Sequence, residues 1–185
     1  MRTLGAMILA LALAACAGDP DRYAVTPPPV TDTQRIGFRS VEVRDVSLPV
    51  YAAADEISMA DASGRLTGVE GALWADAPSR AIALEISRNL ARLSGVRVAP
   101  EPWPFEALPE ARLDIRFQSL IAGPDGQFRA TGQYFVGVPD GRRERSGLFD
   151  LAVPYDPEGG PPALAAARGQ IILDLTGLIA QRGLR

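Results

Sequence analysis

Apolar residues recur at every second position in three consecutive segments, 113–117, 128–136 and 149–153. A period of two is typical of strands that turn one face toward a core. The segments are separated by 124–126 and 139–141, which are both Pro-Asp-Gly and therefore strong turn formers. The pattern predicts a three-stranded antiparallel meander.

Two other segments repeat apolar residues at helical spacing. The first is predicted to run from the candidate N-caps Asp76 and Ser79 to about Ser94, with Gly95 as its C-terminal stop. Its apolar stripe is Ile82, Ile86, Leu90 and Leu93, and its expected polar side is Glu85, Arg88 and Arg92. The second helix is predicted from about Pro162 to Arg182, with an apolar face wide enough to be covered by the sheet or by a partner.

Shorter strands are predicted at 35–44, at 96–98 and as a hairpin of 56–60 with 66–74, and Tyr23 could begin a first strand. Together these elements predict an α+β fold, with an antiparallel sheet and two amphipathic helices packed on one of its faces. The predicted folded domain is 34–185, preceded by a Pro-rich linker over 16–33.

The first fifteen residues have the features of an export signal. Arg2 is followed by an apolar run over 4–15 that is shorter than the ~20 residues of a spanning helix. The run ends in Leu13, Ala14 and Ala15, which with Cys16 match the bacterial lipobox. We therefore expect signal peptidase to recognise 13–15 and cut before Cys16, whose thiol carries a diacylglycerol group and further acyl chains such as palmitate. The alternative is an ordinary secretory signal with a chance cysteine.

Composition excludes several kinds of chemistry. The chain has 19 basic and 22 acidic residues, a net charge of −3 that does not favour nucleic-acid binding, and it contains neither His nor Lys. Arg is always protonated, so no Ser-His-Asp triad, Schiff-base lysine, Walker lysine or His-containing zinc site can form. The one cysteine, Cys16, is assigned to lipid. We expect no enzyme activity, no catalytic residue, no metal and no cofactor other than the covalent lipid.

The order of motifs resembles a known family. After the lipobox come Tyr23, Pro49-Val50-Tyr51 before a strand, 73–78 (Leu-Trp-Ala-Asp-Ala-Pro) before a helix, then the meander and a terminal helix. This order is similar to that of the ABC-type transport auxiliary lipoprotein family, which includes the PqiC lipoprotein. In the family pattern the acid directly precedes Pro78, whereas here Ala77 separates them.

The resemblance implies a role in envelope lipid transport. Its expected partners are an MCE-domain protein and, through that protein, an inner-membrane ABC permease and ATPase. Ala17 rather than Asp follows Cys16, which in such lipoproteins implies the periplasmic face of the outer membrane. The protein would dock the assembly to that membrane, and this role allows a homo-oligomer. The alternative is a stand-alone tethered carrier of a lipid, which would need a large apolar cavity between sheet and helices.

Five residues are candidates for partner binding, and each has a structural alternative. Trp74 could contact a partner or anchor the helix to the sheet, and Tyr51 could be exposed or cap the edge of the core. Arg142, Arg143 and Arg145 flank a predicted hairpin turn, where they could bind lipid headgroups or an acidic partner, or only protect an edge strand.

Overall fold

The computed structural model of the chain describes residues 19–185. The predicted signal peptide, its recognition residues 13–15 and the lipidated Cys16 lie outside the described residues. Within 19–185 the chain forms eight strands and three α-helices. The strands are β1 Asp21–Tyr23, β2 Ser40–Val43, β3 Glu56–Ala60, β4 Leu66–Trp74, β5 Arg97–Pro100, β6 Ala111–Ala122, β7 Gln127–Gly137 and β8 Arg145–Pro154. The helices are α1 Val50–Ala53, α2 Pro78–Ser94 and α3 Gly160–Arg182.

The sheet is mixed, which confirms the α+β class and corrects the expectation of an antiparallel sheet. The β3–β4 hairpin and the β6–β7–β8 meander are antiparallel as predicted. However, β2 pairs in parallel with both β5 and β6, and β1 pairs in parallel with β4. Parallel strands need a connection that returns the chain to the same end of the sheet. Here α2 provides that return between the β3–β4 hairpin and β5.

Strand β6 organises the sheet because both of its edges are used. One edge pairs with β7 along almost its whole length. The other edge pairs first with β2 at 111–113 and then with β3, through Met59 beside Ala122. The predicted strand over 35–44 is reduced to Ser40–Val43, of which residues 41–43 pair with this edge of β6.

The helices bury the stripes expected of them. Ile82, Ile86 and Leu90 of α2 are fully buried, and Gly95 ends the helix with a φ of 70°. The predicted side-chain N-caps are wrong, because the N-cap is Ala77 and makes no side-chain bond. Asp76 instead pairs with Arg80 in the first turn of α2.

Residues 21–34 contact the rest of the domain, which corrects that part of the predicted linker over 16–33. Strand β1 pairs with β4, and a Cβ built at Gly169 of α3 would lie 3.0 Å from Cγ1 of Val25. Further along, the backbone N–H of Gln34 donates to the carbonyl of Leu93 at 2.7 Å. The pairing of β1 with β4 therefore attaches the chain to the sheet from Asp21 onward.

Helix α3 and the turn before it, Pro157–Arg182, are long and apolar enough by length and composition to cross a membrane. Most of the segment is nevertheless buried inside the domain. The fully buried Ile171, Ile172 and Leu175 pack in the same core as the sheet and α2. Its wide apolar face is thus used within the chain.

Candidate functional site

The five candidate partner residues fall into two separate places. Tyr51 and Trp74 line one small cavity between α1, the sheet and α2, together with Arg168 of α3. Arg142, Arg143 and Arg145 lie on the β7–β8 turn. The sequence does not show the first grouping, because Tyr51 and Trp74 are far apart in the chain and meet only through the sheet.

Trp74 is a core residue. Its residue surface is only 7% exposed, and the guanidinium carbon of Arg168 stands 4.3 Å from the centre of its ring. Such a cation over an aromatic face is attracted by the ring quadrupole, more strongly where water is excluded. Trp74 thus fixes β4 to α3, the structural alternative considered above.

Arg168 also forms a buried ion pair that sequence reasoning missed. Its Nη2 donates to Oε1 of Glu85 at 3.0 Å, with side-chain exposures of only 4% and 9%. Glu85 had been expected on the polar side of α2. It lies three positions after Ile82, however, and this spacing puts it beside the apolar stripe.

Two opposing effects act on the pKa of Glu85, and burial is the larger of them. Burial raises the pKa of Glu85, while the charge and hydrogen bond of Arg168 act in the opposite direction. Glu85 Oε2, Arg168 Nε and Nη1, and both amide atoms of nearby Asn89 are buried without a partner among the described residues. The interior between α2 and α3 therefore contains a polar cluster whose hydrogen-bonding capacity is only partly used.

Tyr51 completes the edge of β6. It lies on the short helix α1 rather than in the expected loop, and it is half-buried. Its hydroxyl accepts a hydrogen bond from the N–H of Leu120 at 3.3 Å. This bond falls between the bridge of Ser47 to Arg116 and the pairing of Met59 with Ala122. Tyr51 therefore bridges the interval between β2 and β3, as the edge-capping alternative requires.

The arginines of the β7–β8 turn are exposed and differ in their contacts. Arg143 has a φ of 62°, donates from Nη1 to the carbonyl of Gly37 at 3.0 Å, and stands 4.6 Å from the ring centre of Phe38. Arg145 reaches only the carbonyl of Glu144. Arg143 thus attaches the turn to the domain, while the side chains of Arg142 and Arg145 extend into solvent.

The spaces in the molecule differ in size and position. The cavity between sheet and helices measures about 20 Å³, room for about one water molecule. A larger space of about 540 Å³ is an open groove between residues 28–34 and α3. A second open groove of about 680 Å³ lies over β6–β8, beside the side chain of Leu148, which is 77% exposed. Small-molecule sites are usually clefts or cavities of ~300–1,000 Å³, so the cavity between sheet and helices is far too small to be one.

Two surface carboxylates have lowered pKa values because arginines bond to them. The hydrogen bond from Arg129 lowers the pKa of Asp125 to about 2, and backbone and side-chain bonds from Arg39 lower the pKa of Glu110. Among residues 19–185, no group of three or more His, Cys, Asp or Glu is placed to hold a metal ion.

These features describe a single α+β domain with a packed core, open grooves and charged turns. The chain belongs to the family of ABC-type transport auxiliary lipoprotein components, whose model matches residues 23–180. The protein is thus an auxiliary component associated with an ABC transport system, in a lipoprotein family of the cell envelope.

Solved structures share the fold. An uncharacterized protein superposes with a TM-score of 0.69 at 15% identity, covering 87% of this chain and 98% of the other. Protein XCC0632 from Xanthomonas campestris, of the DUF330 family, superposes with a TM-score of 0.64 at 19% identity, covering 86% and 93%. No curated protein sequence matches the chain significantly.

Proposed function

We propose that this protein is a non-catalytic lipoprotein of the outer membrane that docks the periplasmic part of an ABC/MCE-type lipid transporter. The observation that carries the proposal is the family match over 23–180, which covers every strand but the first residues of β1 and nearly all of α3. The packed core supports docking rather than carriage, because the cavity between sheet and helices is about 20 Å³.

The proposed anchor is Cys16, acylated after signal peptidase recognises Leu13, Ala14 and Ala15. The folded domain supports this arrangement because it begins at Asp21, only five residues after Cys16. An extended chain spans at most ~3.5 Å per residue, so the tether is under about 20 Å long. The domain would therefore stay close to the membrane surface.

The proposed partner is an MCE-domain protein, which links the lipoprotein to the inner-membrane permease and ATPase. The exposed side chains of Arg142 and Arg145 support a protein contact, since Arg is enriched at such interfaces. Self-association into a homo-oligomer is compatible with this role and would present several copies of the same surface to one partner.

The test is a crosslinking pull-down of the mature lipoprotein from envelope membranes, with a Cys16→Ala variant as control. Recovery of an MCE-domain protein by the wild type, with loss or mislocalisation of the complex in the control, is the expected result. Lipid co-purifying with a monomer, and no MCE-domain protein, would instead establish a carrier and reject docking.

A further inference from the structure

Nine exposed arginines from separate parts of the chain lie at one end of the domain. The N–H of Gly37 bonds to the carbonyl of Leu184, and Arg143 reaches the carbonyl of Gly37. The N–H of Arg97 bonds to the carbonyl of Arg39 at 3.3 Å. We call this surface the basic end; it consists of Arg35, Arg39, Arg92, Arg97, Arg142, Arg143, Arg145, Arg182 and Arg185.

Most of the charge at the basic end is not neutralised within the chain. Of the nine arginines, only Arg39 forms an ion pair with a carboxylate in residues 19–185, that of Glu110. Asp140 and Glu144 lie in the β7–β8 turn, and exposed Glu106 follows Phe105, whose ring centre is 4.8 Å from the guanidinium carbon of Arg97. Exposed guanidinium groups without a carboxylate partner are suited to bidentate binding of carboxylates on another molecule.

The opposite end of the sheet is acidic. It comprises the start of β1 and the turns that follow β3, β6 and β8. Its carboxylates are Asp19, Asp21, Asp61, Asp125, Asp156 and Glu158, and its arginines are Arg22, Arg65 and Arg129. All three arginines are already paired: Arg22 with Asp55, Arg65 with Asp61, and Arg129 with Asp125. The domain is therefore polarised along the direction of β6.

The strand register places the proposed anchor at the acidic end. Asp21 lies beside Ala72 of β4, and the next residue of β4, Leu73, pairs with Glu56 of β3. Three residues further along β3, Met59 pairs with Ala122 near the end of β6. The basic end instead lies near Ala111, at the start of β6. About nine residues of strand separate the two levels, which is roughly 30 Å. The chain before Asp21 runs away from the basic end, because β1 is antiparallel to β6.

We propose that the basic end is the docking surface for an acidic face of a protein partner, held about 30 Å from the bilayer that carries the anchor. This inference rests on the proposed function and names the surface that performs it. Anionic headgroups of the anchoring membrane are unsuitable occupants because the tether keeps the acidic end nearest to them. A second copy of this chain is unsuitable too. Copies anchored in the same membrane all hold their acidic ends at that membrane, so the acidic end of one copy does not reach the basic end of another.

The first test maps the contact in the full lipoprotein in its native envelope. A photo-crosslinking amino acid replaces Arg142 at the basic end or, as the matched control, Ser63 at the acidic end. The expected result is a crosslink from position 142, and not from position 63, to an acidic segment of an MCE-domain protein. A crosslink from 142 to phospholipid or to a second copy of this chain overturns the proposal.

The second test reverses charge. The triple variant Arg35→Glu, Arg142→Glu and Arg182→Glu alters side chains without ion pairs, and Arg22→Glu, Arg65→Glu and Arg88→Glu make the same charge change elsewhere. At low salt we expect the first triple variant to recover about tenfold less MCE-domain protein than the wild type does. The control triple variant should recover at least about half as much as the wild type. High salt should lower the wild-type recovery similarly, because it screens exposed charges.

The outcomes separate the two proposals. Equal recovery by both triple variants overturns the basic end as the docking surface while the docking function stands. Failure of the wild type to recover any MCE-domain protein rejects the docking function and this inference with it. Circular dichroism establishes that both triple variants fold, and Arg142→Glu alone, on an exposed turn, replaces the first triple variant if it does not.

Discussion

Arg168 and Glu85 form a buried ion pair between α2 and α3. Each is nearly inaccessible, and each has polar atoms left without a partner. Burying two charges costs free energy that their attraction only partly offsets, whereas removing one partner leaves an uncompensated buried charge. Removing one of the two side chains should therefore lower the free energy of unfolding strongly, whereas replacing both by apolar side chains should lower it little.

Single and double substitutions test this reasoning. We expect Arg168→Met to lower the free energy of unfolding by about 3–5 kcal/mol, because Glu85 stays buried alone. Adding Glu85→Leu should recover most of that loss. Urea unfolding followed by circular dichroism measures both. Losses that simply add in the double variant would show that the two side chains do not act as a pair.

The Asp125–Arg129 ion pair makes the free energy of unfolding depend on pH in the acidic range. The pKa of Asp125 is about 2 in the folded chain and 3.8 as the reference value, so its contribution is present above pH 3.8 and is lost as pH falls toward 2. Asp125→Asn should flatten the fall in unfolding free energy between those pH values. Arg129→Gln should reproduce the flattening, and an unchanged slope in both variants would contradict the assignment.

At the residue scale, the sequence predicts side-chain type better than side-chain environment. The lone Arg168 in an apolar helix gives no indication of its partner, because Glu85 is 83 positions away and the two meet only when α2 packs on α3. The sequence predicts a loop at Tyr51 because Pro49 lies two residues before it, yet Pro49 is the N-cap of α1. Such contacts depend on tertiary packing, which local patterns do not contain.

Gly132 shows how one position shapes the central strands. It lies opposite Phe117 of β6 and Phe149 of β8, whose rings meet edge to face with centroids 5.3 Å apart. A Cβ at Gly132 would lie 2.6 Å from Cζ of Phe149 and would also overlap the carbonyl oxygen of Arg116. The missing side chain thus makes room for the two aromatic rings, beside the irregularity in β6 between Phe117 and Ser119.

Two alanine substitutions in the same strand separate packing from backbone effects. Gly132→Ala should lower the free energy of unfolding by about 1–3 kcal/mol through overpacking. Gly137→Ala is the matched control, because no atom lies within 4 Å of its added Cβ, and it should change stability by less than about 1 kcal/mol. Thermal unfolding compares them, and equal losses would show that general strand propensity, and not the crowding of Gly132 by the Arg116 carbonyl and the Phe149 ring, sets the effect.

Elements with strong local periodicity were predictable, and those that depend on distant pairing were not. The meander, the β3–β4 hairpin and the two long helices follow from periods of two and 3.6. The parallel pairing of β2 with β5 joins segments more than fifty residues apart. Strand β1 lies in a Pro-rich segment whose composition favours a linker; Tyr23 indicates a possible strand, but local pattern does not give its pairing with β4.

The polarity of the whole domain predicts its orientation on a membrane. Cys16 is the one cysteine in the sequence and is proposed to be acylated, so an introduced cysteine can be labelled alone. With the lipoprotein in vesicles that contain a lipid acceptor dye, we expect strong energy transfer from Ser63→Cys and weak transfer from Arg142→Cys. Equal or reversed efficiencies would show that the domain lies flat or inverted.

The position of Arg168 also matters before the domain has folded. A chain that is exported unfolded exposes Pro157–Arg182 to the translocation channel, where a segment of this length and composition can leave sideways as a stop-transfer helix. Arg168 stands near the midpoint of the segment, where a charged residue opposes insertion by about 2.5–3.5 kcal/mol. In a translocation assay, Arg168→Met should raise the membrane-integrated fraction, and an unchanged fraction would exclude this role. The charge that is costly in the finished core thus helps the helix to reach that core rather than the bilayer.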